Sequence, residues 1–174
     1  IELAKQTGVN RISFLAADVS SEAYGRDNNP NRGAVASESS MALNKDEVLE
    51  LKDIIYRASV KYKDEFESGL ISESPEKLQH IAYYYAALIG KDTFPKNFCN
   101  APMVSTVITS TGDIHPCFFL PKYGNIRKSN FKELINSESI INTRSRVKVM
   151  EPDRCKKCVC TLFVSPRTAL ADKF

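Results

Sequence analysis

Apolar residues recur at intervals of three and four from Val48 through Leu51, Ile55 and Ala58 to Tyr62. That spacing predicts an amphipathic helix. Asn44 with Glu47 three places on predicts a capping box at its start, and Ser68-Gly69 marks its end. A second helix is predicted from Ser74-Pro75, a cap followed by an N1 proline. It runs through Leu78, Ile81, Ala82, Tyr85 and Leu88 to Gly90. Tyr83, Tyr84 and Tyr85 must point different ways around it, which predicts packing between helices rather than a stacking surface. Ahead of both, a helix end capped by Gly8 feeds an extended apolar run from Arg11 to Ala17. Residues 20–40 are polar, with Gly25, Pro30 and Gly33, and read as a long loop.

After Pro95 the pattern changes. Val104 to Thr109 is rich in β-branched residues, Thr111-Gly112-Asp113 forms a hairpin turn, and Ile114 to Leu120 makes the return strand. Gly124-Asn125-Ile126 makes a second turn. A helix then runs from Asn130 to about Ile141, with Phe131, Leu134, Ile135 and Ile140 inward. No internal repeat occurs. The predicted class is α+β.

The chain has 174 residues, 43% hydrophobic and 26% charged, which suits a globular protein with its own core. No apolar run of about 18 residues exists. The opening residues lack the charged region and cleavage site of a signal peptide, so a cytoplasmic location and no membrane partner are expected. The first residue is Ile, which leads to the expectation of a piece excised from a longer protein. The net charge of +3 decides little, but its distribution is uneven. Between positions 121 and 157, ten Lys and Arg face only Glu133, Glu138, Glu151 and Asp153. Such a stretch balances a negative centre, meets an anionic ligand, or is a solvated face.

Five cysteines fall in two groups. Cys99 and Cys117 flank Gly112, and Cys155, Cys158 and Cys160 follow as a cluster. The odd count and the chain length argue against a disulfide framework. A CxxC turn directs two sulfurs at one centre, and a second, distant arm completes a four-thiolate shell. The chain is therefore expected to bind a metal or a cluster.

Residues Cys99 to Cys160 resemble the auxiliary-cluster region of radical S-adenosylmethionine enzymes, the SPASM domain and its shortened relative, the Twitch domain. Cys99, Gly112 and Cys117 match the opening Cys–Gly–Cys hairpin. Ile114-His115-Pro116-Cys117 and Tyr123-Gly124-Asn125-Ile126 match its conserved turns, and Phe131-Lys132-Glu133-Leu134 precedes the returning Cys155-x-x-Cys158. The full pattern has seven cysteines and two clusters, so five imply one auxiliary [4Fe-4S] cluster held by Cys99, Cys117, Cys155 and Cys158. Cys160 is left over, as a substitute for Cys158 or a nearby thiol. Residues 1–42 resemble the last strand and polar loop of a partial TIM-type (β/α) barrel. Residues 43–95 would be a helical linker and residues 96–174 the cluster domain.

The CxxxCxxC that cleaves S-adenosylmethionine is absent. The resemblance thus implies either a chain that has lost that activity or a fragment, with S-adenosylmethionine and a second [4Fe-4S] cluster only in a full-length parent enzyme, an Fe-S oxidoreductase. It also implies a peptide or small-molecule substrate and an electron donor such as flavodoxin or ferredoxin there. The auxiliary cluster would relay electrons, with Arg154, Lys156 and Lys157 raising its potential. Asp18 and Ser20, after the barrel strand, would face substrate, Asp18 binding or deprotonating it or serving as a turn cap. His115 is a candidate ligand or donor to the cluster, or a plain strand residue; His80 is assigned no role.

Two rival readings remain. Zinc (Zn) accepts the same four thiolates, especially in protein handled in air, although the Cys99–Cys117 arm is wider than a zinc-ribbon pair. A nucleic-acid module on the basic stretch would need exposed aromatics there. Only Tyr123 and Phe131 are available, with Phe131 expected inside, so no nucleic-acid partner is expected.

Overall fold

The computed structural model describes residues 1–19 and 42–165, which divide into two compact units joined at Pro95–Lys96. The first unit opens with α1 (Glu2–Thr7), closed by Gly8 in the left-handed conformation. It continues with α2 (Lys45–Lys61), α3 (Lys63–Glu67) and α4 (Pro75–Leu88). Asn44 and Glu47 form the expected reciprocal capping box, and the Ser74 hydroxyl caps α4 ahead of its N1 proline. The expected single helix from Asn44 to Ser68 is thus interrupted at Tyr62. Packing of α2 on α4 buries Ile55, Leu78 and Ala82, with Leu51, Phe66 and Ile81 around them. Tyr84 and Tyr85 are buried while Tyr83 is partly exposed, as three successive helical positions require.

The run from Arg11 to Ala17 does not form the expected strand. It pairs at one position, a parallel bridge between Ile12 and Ile71. Ile12 donates to Leu70 O at 2.8 Å, and Ser72 donates to Ile12 O at 2.9 Å. Further along, side chains take the place of a neighbouring strand: Phe14 N donates to the buried Glu73 carboxylate, and Ala17 N to Tyr85 Oη, both at 3.0 Å. Helices connect the two bridge partners, giving one parallel crossover. Among the described residues this does not extend to a barrel. Ser20 and the loop to Ser40 lie outside the described residues.

In the second unit, α5 (Ala101–Val104) precedes a three-stranded antiparallel sheet of β1 (Val107–Ile108), β2 (Asp113–His115) and β3 (Gly124–Asn125). Val107 pairs with His115 and Ile114 with both Ile108 and Gly124. Asn125 explains the Gly-Asn-Ile stretch. Its Nδ2 donates to Thr111 O and Asp113 Oδ1, its Oδ1 accepts from Arg127 N, and Ile126 N donates to Gly112 O. The Asn125 and Lys122 donors hold the Asp113 carboxyl below the usual range.

Gly112 turns the hairpin with φ +85°, and an added Cβ would lie 3.0 Å from Arg127 Cγ. Arg127 is tied to Ser110 O at 2.8 Å, so it has little room to yield. Gly112→Ala is expected to cost about 2 kcal/mol, combining left-handed strain with this crowding. A urea titration that shows an unchanged midpoint would refute it.

The helix expected from Asn130 to Ile141 is two helices, α6 (Phe131–Leu134) and α7 (Glu138–Lys148), followed by α8 (Asp153–Lys156). Ser137 sits at a fresh N-cap, which breaks the run. Phe131 is 45% exposed rather than inward, whereas Ile140 is buried. Leu134 instead covers Gly124, whose added Cβ would come within 2.4 Å of it. Leu120, Val147 and Cys155 form the core nearest the cysteines, flanked by Cys117 and Met150. The two units together make an α+β protein, and no helix of the described residues is long and apolar enough to cross a membrane.

Candidate metal centre

Two chain segments present the thiols. Cys99 stands just before α5, not before a strand. Asn100, beside it, grips the chain beyond the cysteine cluster. Its Nδ2 donates to Val164 O at 2.7 Å, its Oδ1 accepts from Val164 N at 2.9 Å, and its own N–H donates to Leu162 O at 2.8 Å. Cys117 lies past β2 rather than on the return strand. Buried Pro116 has no N–H for the ladder, so pairing ends at His115 and the chain turns. The His115 imidazole clamps that turn: Nδ1 lies 3.0 Å from Leu120 O, and a carbonyl only accepts, so Nδ1 carries the proton. His115 is therefore engaged by Leu120 O and is not itself on the cavity wall described below.

Cys155 sits on α8, whose first residues follow Pro152. Cys155 N donates to Pro152 O at 2.8 Å and Cys158 N to Cys155 O at 3.4 Å, closing the CxxC turn. Cys160 N then donates to Cys158 Sγ at 3.4 Å. Asn97 Nδ2 reaches this turn from the other arm, 3.1 Å from Cys155 O and 3.2 Å from both Lys156 O and Cys158 O.

Cys99, Cys117, Cys155, Cys158 and Cys160 all line one small cavity, with room of about 20 Å³ for water-sized spheres. The other walls are largely apolar, with Pro102, Phe119, Leu120 and Val147, and among the described residues Arg154 is the single charged side chain on them. Cys155 is buried, Cys160 is exposed and the other three are intermediate. Burial pushes the Cys158 thiol up to about 12, against the pull of the Cys160 N–H, and the neighbouring cysteines add to the rise. Burial likewise lifts Cys155 to about 11, with Cys117 and Cys99 contributing. Cys117 is raised by burial too, opposed by the N–H groups of Phe119 and Leu120. These thiols feel one another's charge, so ionising them together calls for a cation among them.

Among the described residues no group of three or more His, Cys, Asp or Glu side chains is gathered so as to hold a metal ion. The five thiols nevertheless line one cavity, and an all-sulfur donor set suits either a zinc ion or an iron–sulfur cluster.

The remaining expected residues are placed as follows. Asp18 is half-buried at the end of the extended segment in the first unit. His80 is exposed on α4 beside Tyr83. Lys156 pairs with Asp153 at 3.0 Å and is exposed, and neither it nor Lys157 lines the cavity, which leaves Arg154 of the three expected cations. Several of the basic residues are engaged internally: Arg144 with Pro102 O, Arg146 with Glu151 and Lys122 with Asp113. Asn97 and Asn100 were not among the expected residues. Their only sequence signal is an amide side chain two positions before and one after a cysteine.

Residues 99–159 match the family model of SPASM, an iron–sulfur cluster-binding domain. The match indicates iron–sulfur cluster binding by this segment. The match takes in Cys99, Cys117, Cys155 and Cys158 and ends one residue before Cys160. Among curated proteins and among solved structures, nothing matches the chain.

Proposed function

We propose that the second unit holds one auxiliary [4Fe-4S] cluster of a radical S-adenosylmethionine oxidoreductase, bound by Cys99, Cys117, Cys155 and Cys158. The observation that carries this reading is the convergence of both cysteine arms on one apolar-walled cavity. Cys160 is exposed and outside the matched segment, which favours Cys158 as the fourth ligand. When bound, a cluster with four thiolates and no open iron transfers electrons. The chain's own part is to fix that centre and shield it. Pro102, Phe119, Leu120 and Val147 keep water from the sulfurs, and the N–H groups facing Cys117 and Cys158 offset thiolate charge. Arg154 adds a cation on the wall, which favours the reduced, more negative state and raises the potential.

The parallel bridge between Ile12 and Ile71, with helices α2 and α3 between its partners, supports reading the first unit as part of a (β/α) barrel. The sequence has no CxxxCxxC, so cleavage of S-adenosylmethionine would depend on a centre outside these 174 residues. A peptide or small-molecule substrate and a flavodoxin- or ferredoxin-type donor are the partners such an enzyme would use.

Anaerobic reconstitution followed by metal and acid-labile sulfide analysis tests this reading. About four iron and four sulfide per chain are expected. One zinc per chain with no sulfide would overturn it.

A further inference from the structure

We propose that Asn97 is a positioning residue for the metal centre, fixing the Cys155–Cys158 turn in the shape that presents its sulfurs to the cavity. This inference rests on the cluster reading above.

The geometry is unusual for a loop asparagine. One amide nitrogen faces three backbone carbonyls, those of Cys155, Lys156 and Cys158, at 3.1, 3.2 and 3.2 Å. Carbonyl oxygens only accept, so three of them pointing at one place repel unless a donor stands there. The turn's own bond, from Cys158 N to Cys155 O, is long at 3.4 Å. Asn97 therefore adds to the turn's own backbone bonds a tie at the point where that closing bond is long. Its two hydrogens serve three oxygens, so at least one is shared.

Asn97 also couples the two cysteine arms. It lies two residues before Cys99 and grips the turn that carries Cys155 and Cys158, 58 to 61 residues away. On the other side of Cys99, Asn100 grips Val164 through both ends of its amide. Cys99 is thus held between two clasps onto the cysteine-rich segment. Just past the turn, the Cys160 N–H donates to the Cys158 sulfur. Residues one step removed from a metal commonly carry about 10–100-fold of its affinity by orienting the ligands.

The test compares wild type, Asn97→Asp, Asn97→Ala and the exposed control Asn136→Ala, all as the full chain after anaerobic reconstitution. Asn97→Asp keeps the size but sets a carboxylate among three oxygens; Asn97→Ala leaves room for water. Three readouts are taken: the rate of cluster loss to a chelator, the EPR spectrum of the reduced cluster, and thermal unfolding of the apo chain. Expected are loss about tenfold faster in Asn97→Ala, faster still in Asn97→Asp, and a changed EPR spectrum in both. Wild-type loss rates and spectra in both variants would overturn the positioning role while leaving the cluster intact. A lowered apo melting temperature with an unchanged spectrum and loss rate would reduce Asn97 to a structural residue. If wild type takes up zinc and no sulfide, the cluster reading fails, and the same chelator series on zinc still decides the role of Asn97.

Discussion

Cys155→Ser is expected to reduce cluster loading to a tenth or less of wild type, whereas Cys160→Ser leaves it near the wild-type level. Cys155 belongs at once to the core with Leu120 and Val147 and to the wall of the thiol cavity. Cys155 is the thiol carried on α8, and the others stand outside that helix. A lost ligand costs at least as much as a lost outer partner, about 10–100-fold in affinity. Cys160 is exposed, and its backbone N–H serves the Cys158 sulfur whatever side chain it bears. Iron per chain after anaerobic reconstitution and desalting reads the difference, with circular dichroism of the apo variants confirming that both fold. Serine preserves the size at Cys155, so a loading defect is not a cavity effect. Near-normal iron in Cys155→Ser, or its loss in Cys160→Ser, would reassign the ligand set.

The features legible in the sequence are those set by near neighbours. The Asn44–Glu47 box, the Ser74-Pro75 start and the Gly112 turn each depend on a few adjacent residues, and each stands where expected. The grouping of the cysteines also depends on local spacing, and both groups reach one cavity. What stayed hidden depends on distant partners. Nothing near Arg11 announces that Glu73 and Tyr85 will take the N–H groups of Phe14 and Ala17, so an extended run looked like a strand. Leu70-Ile71, too short to show alternation, gave no sign of the parallel bridge. Phe131 looked inward because a continuous helix would have buried it; the break before Glu138 leaves Leu134 to pack on Gly124 instead. Asn97 and Asn100 were illegible for a related reason. Their partners are backbone carbonyls and an amide 58 or more residues away, and backbone groups carry no residue-type signature.

Ile114→Ala is expected to destabilise the second unit by about 3 kcal/mol, and Ile114→Val by about 1 kcal/mol. Ile114 is completely buried in the middle of the central strand, paired with Ile108 on one side and Gly124 on the other. The sheet is short, two or three residues per strand, so one side chain supplies much of what holds it. Its glycine partner brings no side chain of its own, and Leu134 covers that glycine instead. The loss should reach the cysteines, because Pro116 and Cys117 follow β2 directly and His115 clamps their turn through Leu120. Loading of Ile114→Ala should therefore fall with its stability and recover in Ile114→Val, as followed by urea unfolding and iron content on the same samples. A variant that unfolds as easily as predicted yet binds iron at the wild-type level would show that the Cys117 arm does not depend on the sheet. The turn clamped by His115 would then be sufficient to present that sulfur.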